Sequence, residues 1–116
     1  MGAPVTHFEI NGKDLKGLTK FYSELFGWTV HEAMPTYGLV HTEGGRGIDG
    51  GIGGEAERPG VMFYAEVDDL QKCLEQAERL GGKIVVPVTE MEMVTLAQFA
   101  DPEGNIIGIT KSEEPS

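Results

Sequence analysis

From Val5 to Asn11 the chain alternates in polarity, with His7, Glu9 and Asn11 on one side and Phe8 and Ile10 on the other. That period of two marks a strand with one face turned to a core, and Val5, Thr6, Phe8 and Ile10 are strand-forming residues. The period then changes. Leu15, Leu18, Phe21, Tyr22, Leu25 and Phe26 follow helical spacing, with Asp14 placed to cap the helix and Gly27 to end it. Trp28 to Glu32 alternates again and predicts a strand, Pro35-Thr36 a turn, and Tyr37 to Thr42 another strand. Between Glu43 and Gly60 eight glycines crowd together. A phosphate loop would need a Lys-Ser or Lys-Thr and a helix start after them, and neither is present. The stretch instead predicts a short glycine-broken strand flanked by loops, letting a ligand or a neighbouring backbone approach closely.

A shift of 55 residues lays Met62 on His7, Phe63 on Phe8, Asp69 on Asp14 and Leu70 on Leu15. The helical positions follow, Leu18 on Cys73, Tyr22 on Ala77, Leu25 on Leu80 and Gly27 on Gly82, so the chain is two copies of one unit. The second copy predicts a strand at Val61 to Val67 and a cap at Asp68 or Asp69. A helix follows, with apolar residues Leu70, Cys73, Leu74, Ala77 and Leu80, ending at Gly81-Gly82. A strand at Lys83 to Val88 is kept to an edge or a bulge by Pro87. Thr89 to Met93 is a connection in which Met91 and Met93 read as loop packing, and Val94 to Ala100 is a strand. Asp101-Pro102-Glu103-Gly104-Asn105 has turn chemistry and joins it to a last strand, Asn105 to Thr110, before a frayed acidic tail from Lys111 to Ser116.

The fold class expected is α+β: two β-α-β-β-β modules forming a cupped mixed sheet with helices on the outer face. Phe8, Ile10, Phe63, Ala65, Val67, Ile107 and Ile109 would face the helices. His7, Glu9, Met62, Tyr64, Glu66, Ile106, Gly108 and Thr110 would face the cup. At 116 residues the chain reads as one domain, module one about 5–54 and module two about 61–110. Phe21, Phe26 and Trp28 are most simply core.

Nine basic against nineteen acidic residues give a formal net charge of −10, which repels nucleic acid and anionic membrane surfaces; neither is expected as a partner. The acidic residues are spread along the chain, as on a solvated surface. The single cysteine, Cys73, excludes an internal disulfide and sits at a helix-spaced apolar position, so it reads as a buried structural thiol. Neither a membrane-length apolar run nor a signal-peptide layout is found, which suits a reducing cytoplasm.

The repeat, His7-Phe8-Glu9-Ile10, Phe21-Tyr22…Leu25-Phe26-Gly27-Trp28, Val67-Asp68-Asp69-Leu70, Leu80-Gly81-Gly82 and Asp101-Pro102-Glu103-Gly104-Asn105 together resemble the vicinal oxygen chelate superfamily. That group holds glyoxalase I, bleomycin-resistance proteins and extradiol dioxygenases; the resemblance spans nearly the whole chain and is nearest the branch related to lactoylglutathione lyase. It implies a divalent metal in the cup, held from the first and last strands of each module and chelating two oxygens of a substrate. His7 falls on the first ligand position and matches. Met62 stands at its counterpart, Gly108 at the position of the usual glutamate, and the Gly50–Gly54 stretch offers no histidine or carboxylate. A thioether suits such an ion poorly, and one histidine does not hold a catalytic metal, so no cofactor is expected, with His7 as ligand if a metal binds at all.

His7 and Glu9 are the candidate catalytic pair, the nearby carboxylate favouring a protonated imidazole or accepting a hydrogen bond from it. Plain structural hydrogen bonding is the alternative. Met62, Tyr64, Glu66, His41 and Gly108 are candidate ligand-binding positions. His31 and His41 otherwise read as strand-surface residues, His41 reaching the cup in the right register. The function expected is binding, with or without transformation, of a small organic molecule in a cup whose metal site is degenerate. One alternative is a metal-dependent lyase or dioxygenase completed by Glu9, His41 or a second subunit; another is a non-catalytic sequestering protein of the drug-resistance kind. The resemblance also implies a homodimer.

Overall fold

The computed structural model describes residues 2–112. They form two compact units, Thr6–Met62 and, among the described residues, 63–112 with 2–5. The first contains β1 (Val5–Asn11), α1 (Leu15–Phe26), β2 (Thr29–Met34), β3 (Tyr37–His41) and β4 (Gly50–Gly53). The second contains β5 (Gly60–Val67), α2 (Leu70–Arg79), β6 (Lys83–Glu90), β7 (Thr95–Ala100) and β8 (Ile106–Lys111). The ends of β1 and β5 run across the unit boundary.

Each unit is a mixed four-stranded sheet with one helix against it. In the first, β2 pairs antiparallel with β3, β3 antiparallel with β4, and β4 parallel with β1, which sets Glu9 opposite Gly51. In the second, β6 pairs antiparallel with β7, β7 antiparallel with β8, and β8 parallel with β5, which sets Tyr64 opposite Gly108. The pairings correspond one for one, so the repeat in sequence is a repeat in topology.

Alternation decides which face is covered. Ile10, Val40 and Ile52 are buried in the first unit and pack with Phe8, Leu15, Leu18, Tyr22, Trp28 and Val30. Leu70, Leu74, Ala97 and Ile109 are buried in the second, against Val67, Cys73, Ile84 and Phe99. Each such aliphatic side chain contributes on the order of 1.5–3 kcal/mol. The helices begin where their caps predict: the Gly17 N–H donates to Asp14 Oδ1 at 2.9 Å and the Lys72 N–H to Asp69 Oδ1 at 3.0 Å. Gly27, at φ +72°, turns the chain out of α1.

Several boundaries and environments differ from expectation. β2 starts at Thr29 and runs on to Met34, because the Pro35-Thr36 turn lets Met34 pair with Tyr37. β6 continues past Pro87 to Glu90, absorbing the missing N–H in a register shift between Val86 and Thr89. Phe21 and Phe26, expected in the core, are 58 and 56% exposed, since α1 turns only the Leu15, Leu18 and Tyr22 side to the sheet. Leu80 caps α2 and is 70% exposed where a buried position was expected. Lys111 belongs to β8, and the Ser112 N–H donates to the Val67 carbonyl at 2.9 Å; the rest of the expected tail, 113–116, lies outside the described residues.

Candidate functional site

The face of the first sheet away from α1 carries His7, Glu9 and Asn11 of β1 and Tyr37 of β3, joined in one hydrogen-bonded chain. His7 Nε2 lies 2.9 Å from the Tyr37 hydroxyl, which donates to Glu9 Oε2 at 3.2 Å, and Asn11 Nδ2 donates to Glu9 Oε1 at 3.0 Å. Tyr37 has one hydroxyl hydrogen. With that hydrogen given to Glu9, its oxygen accepts from His7 Nε2–H, which assigns the lone pair of a neutral imidazole to Nδ1. Glu9 is thus tied on both oxygens, and Tyr37 stands between the two members of the predicted pair.

Of the two roles open to the Glu9 carboxylate, favouring a charged His7 ring or joining it by a hydrogen bond, the geometry shows a link that runs through Tyr37. Burial pushes the His7 pKa below the ordinary 6.5 and outweighs the upward pull of Glu9 and Asp49. Two carboxylates are nonetheless close enough to favour the ring's charged form.

β4 explains how Tyr37 arrives there. Gly51 lies between β1 and β3, and a Cβ built on it would collide with the hydroxyl end of the Tyr37 side chain; a Cβ on Gly53 would press on the Asn11 side-chain oxygen. A Cβ on Gly50 would strike the Phe8 carbonyl oxygen and ring. The glycines therefore admit side chains of this same chain and, at Gly50, the neighbouring backbone that the sequence suggested.

The second unit repeats the device. The Tyr64 ring lies against Gly108, where a Cβ would overlap it, and Gln98 Nε2 donates to the Tyr64 hydroxyl at 2.9 Å. Tyr64 is 4% exposed. Met62 is half-buried, and the Glu66 N–H donates to the Pro4 carbonyl at 2.9 Å.

His41 joins a different group. Its Nδ1 is 3.5 Å from Asp49 Oδ2 and its ring centroid 5.2 Å from that of His31. The Thr42 backbone N–H holds Asp49 at 2.9 Å and lowers its pKa, with further help from the Thr42 hydroxyl and from His41.

The donors do not fit the divalent metal implied by the resemblance. Among the described residues no three or more His, Cys, Asp or Glu side chains are grouped to hold an ion. Gly51 and Gly108, in the ligand-bearing last strands of the two modules, are each covered by a tyrosine ring. Glu9 and His41 do not complete a set with His7.

Tyr37 and Gln98 are the polar residues that sequence reasoning passed over. The available signal was a glycine inside a strand, which marks a close approach without naming the group that approaches.

Comparisons with known proteins agree with this architecture. A glyoxylase-like domain-containing protein of Didymella fabae is 29% identical over 114 residues, covering 87% of this chain and 88% of that one. A solved glyoxalase/bleomycin resistance protein/dioxygenase superfamily member from Vibrio splendidus 12B01 matches with a TM-score of 0.67 at 20% identity, covering 96% of this chain and 100% of its own. Methylmalonyl-CoA epimerase from Mycobacterium tuberculosis matches with a TM-score of 0.66 at 16% identity, covering 95 and 88%. The family model for the Glyoxalase/Bleomycin resistance protein/Dioxygenase superfamily matches residues 5–109, nine-tenths of the sequence, and the chain belongs to that superfamily.

Proposed function

We propose that this protein takes a small organic molecule on the uncovered face of its first module, and that His7 acts on it as a neutral base without a metal ion. One observation carries the reading: His7 is linked through Tyr37 to the Glu9 carboxylate, at a place where burial lowers its pKa. A base must be unprotonated to accept a proton, and the acid it becomes must be tolerated. Burial supplies the first condition. Glu9 and Asp49, which both favour the charged ring, supply the second. Tyr37 keeps the ring oriented while it takes the proton, and Met62, half-buried in the same unit, gives the ligand an apolar neighbour.

A pair of chains is the proposed working unit, in line with the exposed apolar side chains Phe21, Leu25 and Leu80. Among the described residues no helix is long and apolar enough to cross a membrane, and a free Cys73 accords with a reducing compartment.

The test combines metal analysis with a fragment screen read by NMR. Protein incubated with nickel, zinc, manganese or ferrous iron should retain no stoichiometric metal, and bound fragments should shift His7, Tyr37 and Glu9. Metal bound one to one and lost in His7→Ala would sink the metal-free reading. Fragments bound equally by wild type, His7→Ala and Glu9→Gln would reduce the protein to a sequestering module.

A further inference from the structure

The helix-covered side of the first unit is incompletely packed. An open hollow of about 540 Å³ lies between the sheet and α1, a size typical of small-molecule sites at roughly 300–1,000 Å³. Its walls are aromatic. Trp28 sits 5.4 Å from Phe8, 5.6 Å from Tyr22 and 4.9 Å from Phe26, centroid to centroid, with its ring within 18° of parallel to that of Tyr22. The hollow stays open because α1 ends at Phe26 and Gly27 turns the chain away, leaving Phe26 and, on the far rim, Val61 uncovered; Val61 is 73% exposed.

Among the described residues that line this hollow, one is charged, and it is a cation. Arg46 reaches it from the glycine-rich connection between β3 and β4. In a chain with nineteen acidic and nine basic residues, an apolar hollow whose single charge is a guanidinium selects against cations and for an anion with a flat apolar body.

We infer that this hollow binds an aryl carboxylate, its ring packed on Trp28 and Phe26 and its carboxylate against Arg46. The site is separate from the one around His7: His7 and Phe8 are neighbours in β1 and therefore point to opposite faces of the sheet.

Trp28 is the only tryptophan in the chain, so its emission reports on the hollow directly. Hydrocinnamate and hydrocinnamyl alcohol share a body and differ in charge; both are titrated with excitation at the red edge of tryptophan absorption, where neither absorbs. Hydrocinnamate should change Trp28 emission and bind several-fold more tightly than the alcohol. Arg46→Gln, on an exposed loop, should bring the two to the same affinity, Val61→Glu should weaken the acid selectively, and His7→Ala should leave both titrations unchanged. The inference is overturned by equal affinities in wild type, by preference for the acid surviving Arg46→Gln, by loss of binding in His7→Ala, or by no Trp28 response to the acid. The His7 reading stands or falls separately.

Discussion

Replacing Gly108 with alanine should destabilise this protein, although glycine in a strand is ordinarily a weakness. Relieving it by alanine in an open strand position gains about 0.5–1 kcal/mol. At Gly108 the new methyl would collide with the Tyr64 ring, whose Cε2, Cδ2 and Cζ carbons are the atoms it meets first. Tyr64 is 4% exposed and its hydroxyl accepts from Gln98, so the ring cannot tilt away without opening a packed contact and stretching that bond. Overpacking of this kind costs about 1–3 kcal/mol, and a lost hydrogen bond about 1 kcal/mol. The net expectation is a loss of about 1–3 kcal/mol, or roughly 4–12 °C in Tm at about 4 °C per kcal/mol. Urea unfolding of Gly108→Ala, Tyr64→Ala and the double variant measures it. If the ring is the cause, the double variant is more stable than the sum of the singles predicts, by at least about 1 kcal/mol. A neutral or stabilising Gly108→Ala, or strict additivity, would refute the argument.

Further expectations concern protons, caps and the thiol. Because the folded pKa of His7 lies below its unfolded 6.5, the unfolded chain binds more protons between the two values, and stability falls as pH drops through that window. Melting curves across the window should show the slope in wild type and a flatter one in His7→Gln; identical slopes would contradict the burial of the ring. Asp69→Ala should remove about 1 kcal/mol by leaving the Lys72 N–H uncapped, measured by urea unfolding, and an unchanged midpoint would refute the capping role. Burial raises the Cys73 thiol above its ordinary pKa, so its modification by a disulfide reagent at neutral pH should be at least about tenfold slower in the folded chain than in urea. Equal rates would show an accessible thiol.

Period-two and helical patterns carried the elements because each side chain had only its own strand or helix to satisfy. Asp14, Asp69 and Gly27 were legible for the same reason: a cap is a local hydrogen bond and a C-terminal glycine a local dihedral. Relations across strands were not legible. Nothing near Tyr37 in sequence tells it to reach Glu9 and His7, because that depends on β4 lying between β3 and β1 with a glycine where the ring must pass. The lowered pKa of His7 was not legible, because the sequence shows the neighbouring carboxylate but not the burial that outweighs it. Phe21 and Phe26 were misplaced since spacing assigns them to the helix without saying how wide a stripe the sheet covers.

The phenol rings lying over Gly51 and Gly108 also constrain the order in which this sequence can change. A glutamate cannot enter position 108 while Tyr64 occupies the space its Cβ needs, so the route to a carboxylate there begins with a smaller residue at 64. That first step loses the contact with Gln98 before any ligand is gained. A laboratory selection for metal binding that starts from this chain should therefore recover changes at Tyr64 ahead of changes at Gly108; lineages that fix Gly108→Glu first and stay folded would show that the ring is no barrier.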